Sequence, residues 1–160
     1  PVGFYIVPVL NLASSSGSIT LTSNDPHVQP HLDYNFLQHP FDRSRLREAV
    51  RIAIALSQSN EYRELVERCV QPLSTDLDSD DALDRWMKKQ VQTSHHISGT
   101  CKMGPLSDPL AVVDNVGNIR GVEGLRVADA SIMPDCIRAN TNVTTMVMGE
   151  RIADFIAQEM

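Results

Sequence analysis

The stretch DRSRLREAVRIAIALSQ, residues 42–58, sets the strongest constraint on what this chain can build. Leu46, Ala49, Val50, Ala53 and Leu56 recur near one face at helical spacing, and Asp42 stands where an N-cap is wanted. A helix with one apolar stripe must bury it against another element, so the chain has to form a packed layer. A second helix is predicted to open at Ser79 and Asp80 and run to about Lys88, its acids first and its lysines last, as the helix dipole favours. A shorter one is expected over Glu61 to Cys69. A closing helix is expected from Thr144 to Gln158, with Val143, Met146, Val147, Met148, Ile152, Phe155 and Ile156 supplying apolar contacts.

Strand signals lie outside those stretches. GFYIVPVL (3–10) and SITL (18–21) read as strands around a serine-rich turn, and a short edge strand is expected at His31 to Asp33. Two short apolar pieces flank Gly117-Asn118 in a hairpin-like pattern, and GLRVADAS (124–131) reads as an apolar strand running into Asp129. MPDCIRANTN (133–142) is an irregular loop in which Asn140 or Thr141 can cap the last helix. The fold class implied is α+β, an antiparallel sheet backed by helices.

Composition narrows the function. A chain of 160 residues with 42% apolar and 21% charged residues matches a soluble globular protein. The net charge of −6 argues against a nucleic-acid or anionic-membrane partner. No segment is long and apolar enough to span a bilayer, and PVGFYIVPVLNLASSSG lacks the basic and apolar regions of a secretory leader. Cys69, Cys101 and Cys136 are odd in number and widely spaced, which suits a reducing, cytoplasmic setting.

The densest chemistry sits in HHISGTCKMG (95–104). On a strand, His95 and His96 would point to opposite faces, and no second ligand pair stands at short spacing, so a metal site is not expected. Cys101 lacks an activating context beyond its nearness in sequence and reads as a buried small hydrophobe. The histidines adjoin a Gly-Thr step in a stretch without core periodicity, which weakens a purely structural role. His27, His31 and His39 fall in polar turns and read as surface residues.

Three stretches now belong together: H-x-x-G-T-C-K-M-G from His96, V-V-D-x-x-G-x-I-x-G-V-x-G-L-R-V-A-D-A-S-I-M-P from Val112, and N-T-N-x-T-T-M-x-M-G-E-R-I-A-D from Asn140. In order and spacing they resemble the C-terminal signature of the glucose–methanol–choline oxidoreductases, FAD-dependent alcohol oxidases and dehydrogenases. GSITLTSNDPHVQPHLDYNFLQHPFD (17–42) is similar to the segment leading out of that family's substrate-domain sheet, so the resemblance covers nearly the whole chain.

The resemblance implies a function. His96, three residues before Gly99-Thr100, matches the catalytic histidine, and Asn140 matches the second active-site position, which is His or Asn among relatives. Asp129 and Ala130 match the strand end that approaches the FAD, and Asn142 and Thr144 match positions beside the flavin at the start of the last helix. Arg138-Ala139 departs from the Gly of many relatives. Residues 1–95 would belong to the substrate-binding domain, and 96–160 to the catalytic-histidine segment with the last strand and helix of the FAD-binding domain.

Chemistry agrees with those roles. A neutral imidazole, with an ordinary pKa near ~6.5, is suited to take an alcohol proton while a hydride passes to flavin N5. Asn can hold the substrate oxygen as donor or acceptor. The chain has no G-x-G-x-x-G, the dinucleotide-binding unit that full-length family members carry near their start. It is therefore expected to be the C-terminal part of such an enzyme, holding FAD only with the N-terminal portion and self-associating when alone. The alternatives are a redox-inactive stand-alone module and one chain of a split enzyme.

Overall fold

The computed structural model describes residues 3–159. It has two compact units, the first ending at Gln92 and the second beginning at Thr93.

In the first unit, β1 (Ser18–Thr20) pairs antiparallel with β2 (His31–Asp33), Ile19 facing Leu32. Helix α1 (Pro40–Ser57) follows, then 3₁₀ turns at Asn60–Tyr62 and Ser74–Leu77, then α2 (Asp80–Gln90). The core lies between the two helices: Leu37, Val50, Leu83 and Met87 are buried, with Leu46, Ile54 and Trp86 packed around them. The class is α+β, but every residue of the ribbon is exposed, so the helices bury each other rather than backing the sheet.

Helix α1 begins before the expected Asp42. Pro40 takes the first helical position, where its missing N–H costs nothing, and His39 Nδ1 accepts the Phe41 N–H at 3.2 Å. Asp42, 1% exposed, turns instead to a distant loop: its carboxylate accepts the Ser14 N–H at 2.9 Å and the Ser15 hydroxyl at 2.6 Å. Burial alone would raise its pKa; the bonds from Ser14 and Ser15, with Arg45 nearby, outweigh that and hold it below the usual value. Leu56 leaves the predicted stripe and is exposed. At α2 the Ser79 hydroxyl accepts the Ala82 N–H at 3.1 Å, the cap its sequence announces.

Two expected elements are absent among the described residues. Residues 3–10 carry no strand, because no neighbouring strand supplies ladder bonds, and Tyr5 is 92% exposed. The expected helix from Glu61 to Cys69 is only the 3₁₀ turn, since so short a segment is marginal without a buried face and Leu65 is exposed.

The second unit ends in α3 (Asn142–Glu159), whose inner side packs Met148, Ile152 and Phe155 against Val113, Ile132 and Val127. Met146, expected in the core, is exposed beside Val143 and Val147. Ahead of α3 the chain is held by isolated bridges, Met103 to Val113, Val113 to Ile119 and Asn118 to Arg126. The expected strand over 124–131 is reduced to the last of these bridges and a 3₁₀ turn at Ala130–Ile132.

Asp114 organises the turn inside those bridges, accepting the Val116 N–H at 3.0 Å and the Asn118 N–H at 2.9 Å. Burial pushes its pKa up, but these bonds and the Arg120 charge leave it lowered overall. Gly117, at φ +83°, lets this turn lie against α3: a Cβ there would stand 2.8 Å from Ile152 Cδ1 and 2.8 Å from the Val127 carbonyl oxygen. No helix among the described residues is long and apolar enough to cross a membrane.

Candidate active site

Within the second unit, three rungs join the segment after His96 to the corner after Asp129. The N–H groups of Gly99, Cys101 and Met103 donate to the carbonyls of Ala130, Ser131 and Ile132 at 3.2, 2.9 and 2.8 Å. Gly99, at φ +81°, takes the left-handed turn that starts this run. Asp129 caps the corner itself, its carboxylate accepting the Ser131 N–H at 2.8 Å. Strong local bonding therefore fixes two pieces of chain some thirty residues apart as neighbours.

The rungs leave a cleft of about 530 Å³ beside them. One side is lined by His95, His96 and Ile97, another by Asp129, Ala130 and Ser131, and the start of α3 closes it through Thr141, Asn142 and Thr145. His96, Asp129, Ala130 and Asn142 are thus brought together. Asn140 is exposed one residue before Thr141, and Thr144 is half-buried in the first turn of α3; neither lines the cleft.

His96 is held through its ring. Its Nδ1 lies 3.1 Å from the Thr141 hydroxyl, 45 residues away in sequence, and both residues are partly buried. Thr141 closes the first bond of α3, its carbonyl accepting both the N–H and the hydroxyl of Thr145 at 2.8 Å. The sequence marks Thr141 as a possible cap for α3 and misses it as the partner of the histidine; the signal available was its place beside Asn140. His95 also lines the cleft, with φ +64° and its N–H on Thr93 Oγ1 at 3.0 Å. Cys101, expected to be buried, is half-exposed. Among the described residues no three His, Cys, Asp or Glu side chains are grouped to hold a metal ion.

An imidazole with one nitrogen bonded and the other unassigned can exchange a proton with a ligand in the cleft. The amino end of a long helix at the same cleft favours negative charge there, because its first N–H groups lack partners within the helix.

Comparison with known proteins gives a consistent set. The GMC oxidoreductase C-terminal family model matches residues 13–149. The oxygen-dependent choline dehydrogenase of Rhizobium rhizogenes is 37% identical over 154 residues, 96% of this chain and 28% of that protein. That of Cronobacter sakazakii is 41% identical over 142 residues, covering 89% and 25%. Among solved structures, pyridoxine 4-oxidase from Mesorbium loti superposes with a TM-score of 0.80 at 29% identity, over 89% of this chain and 27% of its own. A formate oxidase variant from Aspergillus oryzae, studied for FAD modification, has a TM-score of 0.80 at 33% identity, over 92% and 25%. The chain spans 28% and 25% of the length of the two dehydrogenases.

Proposed function

Because the chain belongs to the GMC oxidoreductase family, we propose that it is the C-terminal part of an FAD-dependent enzyme that oxidises a small-molecule alcohol. The observation that carries this reading is the meeting of His96, Asp129, Ala130 and Asn142 at one cleft. Residues 1–95 would form part of the substrate-binding domain. Residues 96–160 would form the catalytic-histidine segment and the end of the FAD-binding domain, with the pieces around Leu125 to Ala128 completing its last strand once the N-terminal portion is present. Val143, Met146 and Val147, exposed on α3, are apolar surface that such a portion would cover.

The residues present fit FAD. An anionic group is favoured at the amino end of α3, where Asn142 lines the cleft and Thr144 lies in the first turn, and Asp129 and Ala130 offer a side chain and backbone opposite. Asp129, Ala130 and Asn142 would hold it from the cleft, and Thr144, outside the cleft lining, would act from the first turn of α3. Bound FAD supplies the two-electron acceptor that no side chain provides.

The chain's own part is the proton. As the alcohol is oxidised, its O–H bond breaks and an N–H bond forms on His96 Nε2, the ring nitrogen not engaged by Thr141. Asn140, next to Thr141, can donate to or accept from the substrate oxygen without competing for that proton. His96 and Thr141 are half-buried, which strengthens the interaction at the imidazole relative to water.

The test is to combine the chain with FAD and the N-terminal portion of the enzyme. A yellow protein bleached by alcohol is expected, and His96→Ala should slow reduction by about 10²-fold or more while FAD is still retained. FAD retained but bleached by no alcohol would match a redox-inactive module instead. An unchanged reduction rate in the variant would remove His96 from the reaction.

A further inference from the structure

We propose that His95 is a specificity-determining residue whose imidazole holds a second hydroxyl of the alcohol, so that the cleft favours diols over simple alcohols. The inference rests on the reading of this cleft as the place where an alcohol is oxidised. It starts from the backbone. On an extended strand adjacent side chains point to opposite faces, yet His95 and His96 line the same cleft. A left-handed turn at His95 breaks the alternation: its φ is +64°, and its N–H donates to Thr93 Oγ1 at 3.0 Å. Glycine enters that region freely and other residues only at a cost. A strained residue that lines a cleft points to a use for its side chain.

Most polar groups around the cleft have partners. His96 Nδ1 meets the Thr141 hydroxyl, the Asp129 carboxylate accepts the Ser131 N–H, and the Thr145 hydroxyl donates to the Thr141 carbonyl. His95 differs. It is exposed, and neither of its ring nitrogens has a hydrogen-bond partner among the described residues.

The chemistry of the ring selects the ligand. His95 stands beside the candidate base, so it meets a part of the substrate other than the hydroxyl being oxidised. A neutral imidazole presents one donor and one acceptor. A hydroxyl is both, so it bonds the ring in either tautomer, whereas a methyl group bonds it in neither. A quaternary ammonium has no N–H to give and no lone pair to offer, so it gains no hydrogen bond there. Once the cleft is filled, an analogue lacking the second hydroxyl leaves the polar atoms of the ring unpaired.

The test compares ethylene glycol with n-propanol, its match in heavy atoms, and with choline, all in the FAD-loaded enzyme. The kcat/KM ratio of ethylene glycol to n-propanol should fall roughly 10-fold in His95→Phe. It should stay close to the natural value in His95→Gln, which keeps a donor and an acceptor. The ratio of choline to n-propanol should hold in both variants. His95→Gly fits φ +64° without strain and also loses the ring, which covers a phenylalanine variant that folds poorly. A glycol ratio unchanged in both the phenylalanine and glycine variants overturns the proposal, and so does a choline ratio that falls with it. The redox reading fails separately, if none of the three alcohols bleaches the flavin. The same preference, read as a ratio of Kd values from flavin fluorescence in His96→Gln, decides the role of His95 without turnover; a ratio indifferent to His95→Phe overturns it there too.

Discussion

The carboxylate of Asp42 receives both the backbone N–H and the hydroxyl of Ser15 at 2.6 Å, across 27 residues of sequence. A residue in the first turn of α1 thus pins the loop before β1 while buried almost completely. Replacing it with alanine leaves the Ser14 and Ser15 N–H groups without their acceptor, and should destabilise the first unit by about 2–3 kcal/mol. Chemical denaturation of the two chains reads the difference.

The same group should make stability depend on pH. Its carboxyl is held below the unfolded value, so its contribution is fully present above the unfolded pKa, near ~3.9, and is lost as pH falls through the folded one. Stability of the natural chain and Asp42→Asn, measured from neutral pH downward, should converge in that acidic range. Parallel curves would remove the ionised carboxylate from the account.

Leu83 is fully buried in the cluster of Leu37, Val50 and Met87, so a shortened side chain leaves a cavity there. Leu83→Ala should cost ~2–5 kcal/mol, whereas Leu56→Ala on the exposed side of α1 should cost far less. Thermal melts of the two variants test the contrast.

Gly117→Ala places a methyl group against backbone and α3 at once and also strains a positive φ. A loss of roughly 2–3 kcal/mol is expected, confined to the second unit. Limited proteolysis should show faster cleavage around 112–127 while α1 and α2 remain protected. Equal susceptibility of both units would count against this close approach.

On the proposed roles, an amide that holds the substrate oxygen and an imidazole that takes the proton, Asn140→Ala in the FAD-loaded enzyme should slow reduction less than His96→Ala does. Rapid-mixing measurements of flavin bleaching compare them directly. An Asn140 variant slower than the His96 variant would reverse the assignment.

Local signals in the sequence were reliable where the partner was also local. Ser79 announced the start of α2, and the apolar spacing after Asn140 announced α3, because a cap and a stripe are satisfied within a few residues. Asp42 looked like a cap and was not, since the groups it binds lie in a different loop. The apolar run at 3–10 looked like a strand, but a strand is a property of two segments and only one was present. His96, Asp129 and Asn142 came from family motifs and share a cleft; the Thr141–His96 contact is written in no motif and depends on how the rungs bring the segments together.

Those rungs couple the timing of events as well as the placement of side chains. The amides of Gly99, Cys101 and Met103 all donate to one short turn, so loss of that turn would release the three together. Hydrogen exchange at the three should then slow or quicken in concert, and a ligand seated beside any one of them would lengthen the lifetime of all three.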